Sequence, residues 1–394
     1  MNVEAVGGLK SGKLTREEVL RRAEALIPVL RERSAEAEKL RRCPDATVAD
    51  YISSELLRIL MPARFGGFEL GYDVYCETVK TLARGCGSQA WVYMVMTDNA
   101  LKLASFTPQA QEEVWTENPN AKFSNCVAPV GKGEVVDGGV QWTGRHPFSS
   151  GVDHADWVMP TGYVQRGDKK QTVSVLIPKK DITIIDDWHV VGLAGTGSKT
   201  FEVKGAFVPD HRILSKEDDE GSSSPYQAPI FHLPRGGVSS ASYAAVAVGV
   251  AEGFIEEYIK YTGPRKSRST VVAEEMGTQM GVGIAASEIE AAGVMLMGPL
   301  YETMQLLERG GPVPKTLNLR GKRNASYAAQ LSINAVQKLF NAAGGRALYL
   351  DNVMQRMLRD CLAAAAHHSL GWDSAAASYG RHVLKAAAEN TENK

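Results

Sequence analysis

The spacing of apolar positions changes twice along the chain. From residue 13 to about 120 they recur at helical intervals. "KLTREEVLRRAEALIPVLRERSAEAEKLR", residues 13 to 41, sets them among many charges and predicts one long amphipathic surface helix. "PDATVADYISSELLRIL" predicts a second, opened by Pro44 and Asp45, with a turn at Pro62, Gly66 and Gly67 behind it. "YDVYCETVKTLARGCGSQAWVYMVMTDNALKLASF" reads as two helices broken at Gly85 to Gly87, and the second is apolar almost all round, hence buried. "TPQAQEEVWTENP" is a short helix that Thr107 can cap, with Pro108 at its first position.

After residue 120 the period becomes that of short strands between Gly-rich turns, with "VDGGVQWTG" a hairpin signal. The strand period lasts to about 213, a polar Ser-rich loop follows, and from about 236 the helical period returns. These shifts divide the chain into an N-terminal helical domain (1–120), a central antiparallel, barrel-like β domain (121–215), a linker (216–235) and a C-terminal helical bundle (236–394). The class is α+β. "GGVSSASYAAVAVGVAEGFIEEYIKYT" carries small residues on one side, so another helix can approach closely. The long apolar helices between 236 and 350 exceed what a monomer easily buries and predict a homo-oligomer, a tetramer.

Composition narrows the partners. With 44 basic against 45 acidic residues, no excess charge draws the chain to nucleic acid. Uninterrupted apolar runs such as "AAVAVGVA" fall short of the roughly 20 residues that span a bilayer, and the N-terminus lacks an export-signal pattern. Cys43, Cys76, Cys86, Cys126 and Cys361 are irregularly spaced without a CxxC, as in reduced cytoplasmic thiols. No His, Cys or carboxylate spacing predicts a metal site.

No GxGxxG, P-loop or GxSxG occurs, so the chemistry comes from less generic stretches. "GLAGTGSKT" offers Thr196, Ser198 and turn N–H groups around Gly195 and Gly197, either a plain turn or a lining for an anionic ring. "HPFSSGVDHADW" sets Phe148 beside Ser149 and Ser150, either a strand end or a flank for a flat cofactor. In "YTGPRKSR", Arg265 can hold a phosphate or be solvated charge after a helix. "RDCLAAAAHHSLGWD" carries Asp360 and His367, and His367 can be a neutral histidine suited to proton transfer or a packed one.

"PARFGGFE", "LARGCGSQAWV", "AQEEVW", "VAPVGKGEVVDGGVQWTG", "FSSGVDHADWV", "WHVVGLAGTGSKTFEVKGAFVPDHRILS" and "GGRALYLDNVMQRMLRDCLAAAAH" occur in order from about residue 15 to 383. Together they resemble the acyl-CoA dehydrogenase fold, most closely its branch of two-component, reduced-flavin-dependent monooxygenases that hydroxylate phenols and other aromatics. The resemblance implies a cytoplasmic homotetramer served by a separate NAD(P)H-dependent flavin reductase, with no membrane or nucleic-acid partner. Reduced flavin (FADH2 or FMNH2) and O₂ would form a C4a-hydroperoxyflavin that oxygenates a small aromatic. It places Phe148, Ser149, Thr196 and Ser198 at the flavin, Arg265 toward its phosphate, and His367 at the substrate.

Four positions depart from the phenol-hydroxylating members. Asn99 replaces an active-site histidine and can hold a substrate but not act as a base. Ala194 and Ala365 replace arginines, and Cys126 replaces a pocket serine. The rewritten pocket suits an indole-like ring, with a phenolic ring as the other aromatic choice. The rival readings are an acyl-CoA dehydrogenase acting on a thioester, with Asp351 near the place of the catalytic glutamate, and a non-catalytic binding relative.

Overall fold

A computed structural model describes residues 14–216, 224–267 and 270–392. The first 13 residues, searched above for an export signal, lie outside this set, as do residues 217–223 of the expected linker and Arg268.

The N-terminal helices are α1 (Arg16–Glu32), α2 (Ser34–Leu40), α3 (Asp45–Ser53), α4 (Tyr72–Ala83), α5 (Gly87–Leu103) and α6 (Pro108–Trp115). The single helix expected over 13 to 41 is divided at Arg33. The bend lets α1 pack on α4 while Ala37 of α2 meets Gly195, where an added Cβ would lie 2.9 Å from the Ala37 Cβ. Helix α5 is buried at every position but Asp98, as its all-round apolarity implies. Thr107 caps α6, its Oγ1 accepting the Ala110 N–H at 3.3 Å.

The central strands are β1 (Phe123–Val136), β2 (Gly139–Ser149), β3 (Trp157–Arg166), β4 (Lys169–Val175), β5 (Ile177–Pro178), β6 (Thr183–Ile185), β7 (Lys199–Pro209) and β8 (Ile213–Ser215). They form one sheet in the order β6-β7-β2-β1-β3-β4-β8, with β5 beside β3. The predicted hairpin is present, Val136 pairing with Gly139. One pairing departs from the antiparallel reading: β1 and β3 run parallel, because β2 runs back along β1 and the short turn over 150–156 carries the chain across to the other edge of β1. Trp142, Val164, Phe201 and Val203 fill this layer's own core.

The C-terminal bundle comprises α7 (Arg235–Thr262), α8 (Met276–Glu308), α9 (Lys315–Ala343) and α10 (Val353–Ala365), with α11 (Trp372–Glu392) against α9. The small-residue face of α7 lies on α4: a Cβ at Gly249 would fall 2.0 Å from the Lys80 carbonyl oxygen, and one at Gly253 2.3 Å from that of Arg84. Helices α7 and α8 are each long and apolar enough to cross a membrane by length and composition alone. Helix α7 is instead the bundle's core, with 78% of its most apolar window buried; for α8 the figure is 28%, and Met276, Met280, Ile284 and Val294 are exposed.

Candidate active site

The site forms where the sheet meets α5, α7 and the end of α10. Its first component is the turn between β6 and β7. Leu193 and Gly197 are both left-handed, with φ of 52° and 54°, and bracket a short 3-10 turn over Ala194–Thr196. Glycine takes this conformation freely; leucine holds it against a cost of about 1–3 kcal/mol. The facing strand contributes a bulge: between His146 and Ser149 the β2–β7 register slips, and Phe148 is left-handed at φ 57°. The bulge turns the Phe148 ring outward, 73% exposed, edge-on to Trp188 at 6.1 Å.

Behind the ring runs a chain of buried groups. The Trp91 indole N–H donates to Ser150 Oγ at 3.0 Å, Ser150 Oγ lies 2.6 Å from Ser198 Oγ, and Ser198 Oγ lies 2.6 Å from Thr196 Oγ1. Thr196 Oγ1 donates to the Leu193 carbonyl at 2.8 Å. Each hydroxyl has one proton, so this last bond sets the direction of the whole chain. Ser198 must donate to Thr196, and Ser150 to Ser198. Every donor is committed, and the chain offers spare lone pairs only.

The second component is aromatic. His367 stacks on Tyr243 at 3.8 Å between ring centroids and meets the edge of Trp91 at 5.7 Å. It lies just past the end of α10, opening the next turn, rather than within the helix. Its Nδ1 accepts the Ser369 N–H at 3.3 Å, which leaves the ring proton on Nε2. Burial, aided by His368, lowers its pKa to about 3, so the imidazole is neutral at physiological pH. It is therefore a hydrogen-bond donor and a weak base, a narrower role than proton transfer near neutrality.

The remaining sequence candidates fall as follows. Asn99 is 1% exposed; its Nδ2 donates to the Val95 carbonyl at 2.8 Å, and its Oδ1 has no partner among the described residues. Ser149 is fully buried and donates to the His146 carbonyl at 3.0 Å, so the serine in the chain is its neighbour Ser150. Arg265 lies beyond the far end of α7, donating to the Ala343 carbonyl and, at 3.2 Å, to that of Ala342. At about 1.5 Å of rise per residue, roughly 30 Å of helix separates it from Tyr243. Cys126 is buried and its thiol is pushed up to about 11. Asp351 is exposed and paired with Arg346 at 2.9 and 2.7 Å, which holds its carboxyl below the usual range and leaves it ill-placed as a buried base.

Trp91, Ser150 and Tyr243 gain roles that sequence reading did not assign. A tryptophan in a wholly buried helix needs a partner for its N–H, and this was the available signal for Trp91. Ser149 and Ser150 are indistinguishable without the bulge.

The exposed ring and the acceptor set fit a flavin. An exposed aromatic ring held by a strained backbone stands beside buried hydroxyls that offer lone pairs to a polar ring edge. The layered helix–sheet–helix architecture suits a flat redox cofactor and, among the described residues, contains no Rossmann unit.

The comparisons with known proteins agree. Residues 241–372 match the family "Acyl-CoA dehydrogenase, C-terminal domain". The flavin-dependent monooxygenase oxygenase subunit HsaA of Rhodococcus jostii (strain RHA1) is 35% identical over 370 residues, covering 92% of this chain and 97% of its own. The crystal structure of 3-HSA hydroxylase from Rhodococcus sp. RHA1 superposes with a TM-score of 0.90 at 35% identity, over 93% of this chain and 97% of that one. XiaF from Streptomyces sp., in complex with FADH2 and glycerol, gives 0.88 at 26% identity, over 94% and 96%. The chain belongs to the oxygenase components of two-component flavin-dependent monooxygenases on the acyl-CoA dehydrogenase fold. It is an enzyme that oxygenates aromatic substrates with reduced flavin and O₂, the reduced flavin coming from a separate reductase component.

Proposed function

We propose that the substrate is a small, neutral aromatic carrying a hydrogen-bond donor, an indole-like or phenolic ring, bound on the His367 and Asn99 side of the site. The observation that carries this reading is the unpartnered, fully buried Oδ1 of Asn99. An acceptor so placed favours an N–H or O–H over a thioether, which has no proton to give. His367 is neutral and the Cys126 thiol is protonated, so neither supplies charge for a carboxylate or a phenolate.

On the cofactor side, Phe148 flanks the ring plane, Thr196 and Ser198 offer acceptors to the ring edge, and Ser149 braces the bulge. The chemistry that reduced flavin supplies with O₂ is delivery of one oxygen atom to an electron-rich ring. The chain's own part is to exclude water around that ring and to orient the substrate through His367 Nε2–H and Asn99 Oδ1. Arg265, so far from Tyr243 within one protomer, serves a cofactor phosphate in an assembly where a second copy completes the site. The exposed apolar face of α8 suits that assembly, a homotetramer. The protein works in the cytoplasm with an NAD(P)H-dependent flavin reductase and without membrane or nucleic acid.

The test supplies reduced flavin and O₂ and compares indole, phenol and aniline with benzothiophene and benzoate. Oxygenated product from the neutral N–H and O–H donors alone is expected. Turnover restricted to benzothiophene, or equal turnover of benzoate, would sink the assignment.

A further inference from the structure

Asp360 is a buried carboxylate that none of the roles above uses, and it stands where three site-bearing elements meet. Its Oδ1 accepts the Leu193 N–H at 2.7 Å and its Oδ2 accepts from Ser88 Oγ at 3.3 Å. Its own helix, α10, leads to His367. Ser88 lies in the first turn of α5, one turn before Trp91, so the carboxylate sits where the helix N-terminus favours negative charge. A Cβ added at Gly87 would lie 2.8 Å from Val250 Cγ2 and 3.4 Å from the Asp360 Cβ, so it is the α7 side that the glycine brings close.

We propose that Asp360 is a positioning residue that sets the direction of the flavin-side hydroxyls through the Leu193 backbone. The proposal rests on the reading that Thr196 and Ser198 face the cofactor. The carboxylate draws the Leu193 N–H inward and holds that residue left-handed. Its carbonyl is thereby aimed at three donors: Thr196 Oγ1 at 2.8 Å, the Thr196 N–H at 3.1 Å and the Trp188 indole N–H at 3.2 Å. Once Thr196 donates to that carbonyl, the direction of Ser198 and Ser150 follows.

The other charged groups near Asp360 leave this role to it. Arg356 and Arg359 pair with Glu38 of α2 at 2.7 and 2.6 Å, and Arg359 also donates to the Val191 carbonyl at 2.5 Å, adding a second hold on the loop. The adjoining thiols of Cys86 and Cys361 are held neutral by burial.

The test uses the full-length chain with Asp360→Ala, Asp360→Asn, Ser198→Ala and Thr196→Ala. Anaerobic titration with FADH2 and FMNH2 measures binding, and amide hydrogen exchange is followed over 188–198 and over α7. Asp360→Ala is expected to weaken binding about tenfold and to raise exchange over 188–198 while α7 stays protected. Asp360→Asn, whose amide oxygen can still accept the Leu193 N–H, is expected to restore both. A folded Asp360→Ala protein with wild-type affinity and exchange overturns the proposal. If that variant does not fold, Asp360→Glu, which moves the carboxylate by one carbon, is expected to show the same losses, and wild-type behaviour there is equally fatal. Loss in Ser198→Ala with none in Asp360→Ala removes this proposal alone. Wild-type binding in both Ser198→Ala and Thr196→Ala removes the underlying reading and the proposal with it.

Discussion

The two ends of helix α5 treat their buried polar groups differently. Near its start, Ser88 donates to Asp360 and Trp91 to Ser150, and Gln89 Nε2 donates to the Leu30 carbonyl at 2.8 Å. Near its end Asn99 is just as buried, yet its Oδ1 has no partner among the described residues. A saturated network holds one geometry. An open buried acceptor costs about 1–3 kcal/mol and is retained where a ligand can satisfy it. On the proposed reading, the saturated end fixes the cofactor and the open end chooses the substrate.

Removing the ring that packs on the saturated end and is proposed to orient the substrate should have the largest effect. His367→Ala is expected to lower product formed per flavin oxidised on the order of 10²-fold, with the difference appearing as H₂O₂. Because the imidazole is already neutral, wild-type coupling should show no histidine titration between about pH 6 and 9. Wild-type coupling in the variant would return His367 to a packing role.

Trp91→Phe probes the saturated end alone, since it keeps a ring against His367 and deletes the first donor of the chain. Reduced-flavin affinity should fall roughly three- to tenfold while substrate KM changes little. The reverse pattern would show that the indole N–H serves the substrate side.

Asn99→Leu probes the open end. It removes an unsatisfied acceptor, so the fold should gain about 1 kcal/mol in denaturant melts while KM for an N–H or O–H substrate rises several-fold. A loss of stability at unchanged KM would mean that Asn99 is already satisfied.

Stability against pH is the remaining measure, and there two buried groups act in opposite senses. Burial and His368 depress His367 to about 3, so the unfolded chain binds its proton first and stability falls as pH drops from about 6.5 toward 3. Burial, only partly offset by the Leu193 N–H, raises Asp360 to about 6; here the folded chain binds the proton first, and stability falls as pH rises from about 4 through 6. Between pH 7 and 4, His367→Ala should therefore lose less Tm than the wild type, and Asp360→Asn more. Identical slopes would contradict both shifts.

The chain's periodicities determined much of this by themselves. The buried character of α5, the break at Gly85 to Gly87, the hairpin at Gly138 and the close approach of α7 each follow from local patterns that need no partner to interpret. The ordered motifs pointed to the fold and to the enzyme class. What tertiary structure decided was which side chains act together. Ser149 and Ser150 differ by a single position, and only a bulge, read against β7, shows which one meets Ser198. Asp360 and His367 stand in one Ala-rich stretch of sequence, but α10 ends between them and the carboxylate meets Leu193, 167 residues away. Equal apolarity likewise leaves α7 covered and much of α8 bare. Periodicity is a property of neighbours along the chain. The partner of a hydroxyl, the charge state of a histidine and the cover of an apolar face depend on elements brought together only by packing.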